Sequence, residues 1–136
     1  MAQTIRIRTR GNTDIVDITP QLLQAVRESG AKEGIVCAAV VGSTASLTTV
    51  EFEPGLVADL RRAFEQLAPH DAVYAHEQRW HDDNGHAHVR ASLVGPSICL
   101  PVVDGAPVLG TWQQAVLIDF DTRPRERTIV VQVIPA

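Results

Sequence analysis

Between Thr4 and Thr9 the chain alternates, with Ile5 and Ile7 on one side of an extended backbone and Arg6 and Arg8 on the other. A period of two marks a strand with one buried face. DIVDIT at 14–19 follows the turn-forming RGNT and predicts a second strand pairing with the first. Thr19-Pro20 reads as a helix start, with Thr as N-cap and Pro in the first turn. Leu22, Leu23 and Val26 give that helix its apolar face, and Gly30 ends it. GIVCAAVV at 34–41 is apolar throughout and predicts a central strand covered on both faces. Gly42 interrupts, and SLTTVE at 46–51 continues as another strand. From Pro54 the spacing becomes helical: Leu56, Leu60, Phe64 and Leu67 recur on one face, with Arg61, Arg62 and Glu65 outward, until Pro69.

HDDNGHAH at 81–88 breaks the periodicity, and its Asp, Asn and Gly content predicts a polar loop rather than a helix interior. Beyond it, VRASLVG, PSICLPVV, TWQQAVLIDF and TIVVQVI all read as strands. Asp104-Gly105 predicts a hairpin turn into APVLG, and Trp112, Val116, Ile118 and Phe120 fall on one face. The order β-α-β-β-α followed by strands predicts an α+β fold. We expect one domain over residues 1–136, with a mixed or antiparallel sheet and two main helices.

A formal net charge of -4 argues against general nucleic-acid binding, which needs a basic footprint, but leaves small anions open. Eleven of the twelve cationic side chains are Arg, whose fixed fork of donors suits phosphate. Cys37 and Cys99 lie in apolar stretches and read as buried thiols. The N-terminus lacks the apolar run of a signal peptide and no stretch is long enough to span a membrane, so a cytoplasmic protein is expected.

Four of the five histidines, His76, His81, His86 and His88, fall within thirteen residues. If the segment is extended, His86 and His88 project to the same side and can share a cation, with His76 or His81 adding a third nitrogen. Zinc suits such a set; magnesium would prefer Asp82, Asp83 and Glu51. Acid/base work without metal and a plain polar loop are the other readings. GSTASLTTVE offers a second cluster, where Gly42 could let backbone amides approach an anion beside Ser43 and Thr44. In an extended HVRAS, His88, Arg90 and Ser92 would form an anion-binding row.

GSTASLTTVEFEPG, HEQRWHDDNGHAHVRASLVGPS and LPVVDGAPVLGTWQQAVLIDFDTRP together resemble the YjbQ-type family, described as secondary thiamine-phosphate synthases. The likeness runs from Ile5 to Val133 and is most specific in SICLPVVDGAPVLGTWQQ. It implies a compact α+β subunit and a homotrimer with polar sites near subunit interfaces. His76 and His88 match the family's general histidine positions, and His81 and His86 those of a closer subgroup. Glu51 matches its acidic position and Arg90 its basic one. Gly42 departs from the histidine that many relatives place there.

The implied reaction condenses an aminopyrimidine diphosphate with a thiazole phosphate, releasing pyrophosphate. The candidate catalytic residues are Glu51, Arg90, Asp83 and Asn84. The phosphate-binding candidates are Ser43, Thr44, Arg90 and Ser92, and the metal candidates His76, His81, His86 and His88. A divalent metal, zinc or magnesium, and a phosphorylated small-molecule substrate follow, with no nucleic-acid or membrane partner. The alternative is a metal- or anion-binding trimer without significant turnover.

Overall fold

The structure, a computed structural model, describes residues 2–136. In chain order the elements are β1 (Gln3–Thr9), β2 (Asp14–Asp17), α1 (Thr19–Ser29), β3 (Gly34–Val40), β4 (Ala45–Val50) and α2 (Pro54–Leu67). Then come α3 (Ala75–Trp80), α4 (Gly85–Val94), β5 (Ser97–Val103), β6 (Ala106–Pro107), β7 (Gln114–Asp119) and β8 (Arg125–Pro135). They form an antiparallel five-stranded sheet, β1-β8-β3-β5-β6, and an antiparallel three-stranded sheet, β2-β7-β4. The α+β class is as the sequence implies, with four helices rather than two.

The first two strands do not pair with each other. Gly11, Asn12 and Thr13 all take positive φ (79°, 55° and 63°), and this left-handed run carries the chain from one sheet to the other. A Cβ on Gly11 would lie 2.7 Å from the Arg123 carbonyl oxygen, so only glycine fits there. Ile18, not Thr19, occupies the N-cap position of α1, and the Asp17 carboxylate just before it accepts from the Thr19 amide at 2.9 Å. Gly30 ends that helix in the left-handed conformation at φ 73°, as expected. The Asp104-Gly105 turn into β6 also forms as expected.

Two cores sandwich the small sheet. Its inner face, with Leu47, Ala115 and Leu117, packs on Ile7, Val36, Val40, Ile129 and Val131 of the large sheet and on Leu22 and Val26 of α1. Its outer face, with Ile15, Val116 and Ile118, packs under Phe64 of α2 and Ala87 and Ala91 of α4. Central β3 is therefore buried on one face: Val36, Ala38 and Val40 are covered, while Ile35 is 46% exposed on the other. Trp112 lies outside β7 and is exposed.

The histidine segment and VRASLV after it are helical, correcting the loop-and-strand expectation. Asp82, Asp83 and Asn84 form the turn between α3 and α4, with His81 and Asp83 left-handed at φ 56° and 57°. The turn closes so tightly that a Cβ on Gly85 would stand 2.6 Å from both Glu77 Oε1 and Tyr74 Cβ. Once past it, the buried face of α4 is small and polar: Gly85, His86, Ala87, Arg90 and Ala91. Hydrophobic periodicity has little to detect in such a face.

Candidate functional site

Successive α-helical side chains are turned by about 100°, so His86 and His88 leave the first turn of α4 on opposite sides. They cannot share a cation as a same-side pair on a strand would. Each stacks instead on a histidine from outside the helix. His88 packs on His76 of α3 with ring centroids 4.3 Å apart and planes at 48°. His86 packs on His70, from the loop after α2, at 4.2 Å and 38°.

A carboxylate of the α3–α4 turn backs each pair. His76 Nε2 lies 3.3 Å from Asp82 Oδ1 and 3.1 Å from the Asn84 amide. His70 Nε2 lies 3.1 Å from Asp83 Oδ2. The Asn84 amide nitrogen is oriented to donate to Asp82 at 2.8 Å, and Glu77 accepts from the Gly85 amide. His86 is buried, and its Nδ1 has no hydrogen-bond partner among the described residues. Burial first, then the neighbouring His70 and Arg90, holds His86 below the ordinary histidine pKa; burial and His76 do the same for His88. Both rings are neutral at neutral pH. His81 caps the C-terminus of α3, exposed and outside both pairs.

The other expected residues separate. Arg90 is buried and committed: Nε donates to Ala68 O at 3.0 Å, Nη1 to Thr13 Oγ1 at 3.0 Å and Nη2 to Glu65 Oε2 at 2.7 Å. It ties α4 to the end of α2 and to the left-handed loop at residues 11–13. On a helix it points away from His88 and Ser92, so the expected row does not exist; Ser92 donates to the His88 carbonyl at 2.8 Å. Ser92 does meet Ser43, across a cleft of about 190 Å³ that Gly42 and Gly95 also line. Glu51 is exposed beyond the far end of β4, with roughly 20 Å of strand between it and Thr44.

A buried network that sequence reasoning did not single out joins these parts. Arg127 grips Asp119 with two parallel bonds, Nε to Oδ2 at 2.7 Å and Nη2 to Oδ1 at 2.8 Å. Thr9 donates to Asp119 at 2.6 Å, Arg127 Nη2 to Thr44 at 2.7 Å, and Thr44 to Asp121 at 2.9 Å. Arg125 pairs with Asp121 at 2.9 Å. Burial alone would raise the pKa of Asp119 and Asp121. Hydrogen bonds from Arg127 and Thr9 to the former, and from the Thr122 amide and Thr44 to the latter, outweigh it and hold both below the usual carboxylate range. Asp121 is also close enough for its charge to act on His88. The alternation of IDFDTRPRER, placing acids and arginines at period two in a strand-like stretch, was the available signal.

In front of this network lies a cleft of about 580 Å³ lined by Gly42, Arg123, Arg125, Glu126 and Arg127. Gly42, at φ 139°, is what opens it: a Cβ there would sit 2.8 Å from Arg127 Nη1. The Nε of Arg125 is buried with no partner among the described residues. The site therefore places guanidinium donors at one end of the small sheet, and neutral imidazoles backed by carboxylates beside them. Among the described residues no three His, Cys, Asp or Glu side chains converge to hold a metal ion.

Residues 3–136 match the model of the family described as UPF0047 protein YjbQ-like. A UPF0047 protein of Archaeoglobus fulgidus is 33% identical over 130 residues, covering 96% of this chain and 98% of its own. The UPF0047 protein YugU of Bacillus subtilis is 31% identical over 136 residues, covering 98% and 99%. A crystallised YbjQ-like protein of unknown function from Sulfolobus solfataricus superposes with a TM-score of 0.94 at 34% identity, over 100% of this chain and 97% of that one.

Proposed function

The chain belongs to the YjbQ-like UPF0047 family, and we propose that it is a transferase of the thiamine-phosphate synthase kind, working on phosphorylated heterocycles as a homotrimer. In the proposed reaction a thiazole nitrogen attacks the methylene carbon of an aminopyrimidine diphosphate. The carbon–oxygen bond breaks, and pyrophosphate leaves with the bonding pair. No proton has to be removed from the attacking nitrogen, so the demand on the protein is to stabilise a departing anion. Neutral imidazoles meet that demand as N–H donors, and Arg123 and Arg125 as charged ones. The observation that carries the reading is the arginine cleft: Asp121 holds Arg125 at 2.9 Å, the buried Nε of Arg125 has no partner among the described residues, and Gly42 leaves the space in front of the guanidinium groups open.

The residues do not fit a preformed zinc nest, since the histidines pack in separate pairs and, among the described residues, no three His, Cys, Asp or Glu side chains converge. Magnesium fits better, because it is often bound through one or two carboxylates and the substrate's own phosphates. Asp82 and Asp83, both exposed beside the imidazoles, are the oxygen ligands we assign to it. Arg90 moves in this reading from phosphate donor to anchor of α4; Ser92, whose one hydroxyl proton already goes to the His88 carbonyl, is left as an acceptor, and Ser43 stays as a hydroxyl donor.

The test is pyrophosphate release from the two substrates with magnesium present. Wild type is expected to turn over, and Arg125→Ala and His88→Ala to lose about 10²-fold in kcat. Diphosphate binding without pyrophosphate release by wild type would favour the second reading, an anion-binding protein without turnover.

A further inference from the structure

Cys37 on β3 and Cys99 on β5 stand directly opposite each other in an antiparallel ladder. The Val40 amide donates to the Pro96 carbonyl at 2.9 Å, which makes 40 and 96 a hydrogen-bonded pair. Such pairs alternate along an antiparallel ladder with closer, non-hydrogen-bonded ones. Counting along the register, 38–98 and 36–100 are hydrogen-bonded, while 39–97, 37–99 and 35–101 are the close type. Pro101, which has no amide proton to donate, sits opposite Ile35 at one of these close positions, as that assignment requires. In a close pair the α-carbons are about 4.5 Å apart, within the span of a disulfide.

Both side chains point away from the core. Val36, Ala38 and Val40 occupy the buried face of β3, so Cys37 is on the opposite one, half-buried, and Cys99 beside it is exposed. Both are free thiols, and the chain has no other cysteine. The expectation of two buried thiols is thus replaced by a facing pair, one half-buried and one exposed, on the outer face of the large sheet.

We propose that Cys37 and Cys99 are a redox modification site that closes reversibly into a cross-strand disulfide. With a disulfide oxidant such as oxidised glutathione, the exposed Cys99 thiolate attacks first and displaces one glutathione thiolate. The Cys37 thiolate then attacks the Cys99 sulfur and displaces the second. Two protein thiols are oxidised, one glutathione disulfide is reduced to two thiols, and the protons pass to the departing thiolates. The new bond joins the two ends of the segment 38–98, which contains β4, α2, α3, α4 and all five histidines. Closing so long a loop restricts the unfolded chain and stabilises the fold against it.

The experiment treats the full chain with oxidised glutathione and then reads free thiols, intact mass and a non-reducing gel. Both thiols should disappear together, and the mass should fall by two hydrogen atoms. The chain should stay uncrosslinked, with unchanged circular dichroism and a higher urea midpoint, all reversed by dithiothreitol. Cys37→Ser and Cys99→Ser should each abolish the gain in midpoint. The proposal is overturned by glutathione adducts that persist on wild type, by cross-linked chains, or by thiols that survive conditions oxidising them in the urea-unfolded chain.

Discussion

The His70 ring rests on His86 at 4.2 Å, and Asp83 holds its Nε2 at 3.1 Å. Removing that ring opens one side of His86 to water and takes away a charge that opposes its protonation. In His70→Ala the His86 pKa should therefore rise toward the ordinary histidine value, as followed by NMR titration; an unmoved His86 would sink the pairing. The linkage has a definite sign. Because the folded pKa is lowered, the unfolded chain takes up a proton near 6.5 that the folded chain resists. Stability is then lost as pH falls from that value toward the folded one, and no further below it. His70→Ala should make this loss shallower. His70 stands outside the thirteen-residue run and after Pro69, so sequence spacing excludes it from a cluster that the α2–α3 loop restores. Arg90 is misjudged for the same reason: its neighbours Thr13, Glu65 and Ala68 are distant in sequence.

Among the elements, α2 shows where periodicity is sufficient and where it overreaches. Its spacing predicts one buried face, and Phe64 does sit in the outer core, edge-on to Phe120 with centroids 4.8 Å apart. Leu60 packs partly against the same cluster, but Leu67, in the last turn, is 68% exposed. The Leu67 side chain leaves the outer side of the last turn, while the next residue, Ala68, is buried and its carbonyl is held by Arg90. We expect Phe64→Ala to cost about 3–5 kcal/mol in urea unfolding. Leu67→Ala should stay within about 0.5 kcal/mol if that end is open to water. Similar losses in both would mean that the end of α2 is covered. The opposite failure occurs in α4, whose buried histidine, arginine and alanines carry no apolar stripe; its helix is fixed by the turn at 82–84 and by Arg90, not by pattern. Strands β7 and β8 were legible because Val116, Ile118, Ile129 and Val131 repeat at period two between cores.

At the scale of the molecule, each sheet ends in strands paired on one side only, although β4 is covered in part by the end of α4, where the Leu47 amide donates to the Gly95 carbonyl. β1 and β6 bound the large sheet, and β2 and β4 the small one. Open edges and exposed apolar faces are managed in many proteins by symmetric association. On α4 the buried arc leaves a free one made of His88, Val89, Ser92 and Leu93. Val89 and Leu93 lie one turn apart on it, 40% and 64% exposed, directly beside the His76–His88 pair. An interface formed there would place the imidazoles at a subunit boundary and shield the reacting groups from water, which the proposed displacement of pyrophosphate needs. Light scattering at micromolar concentration should therefore give three times the chain's mass. Leu93→Asp, which puts a charge into the middle of that apolar arc, should shift the protein toward monomer without changing its circular dichroism, because Leu93 contributes to neither core. Pyrophosphate release should fall with the trimer fraction. A Leu93→Asp protein that stays trimeric would move the interface to another face, and a monomeric wild type would remove the trimer from the proposal altogether.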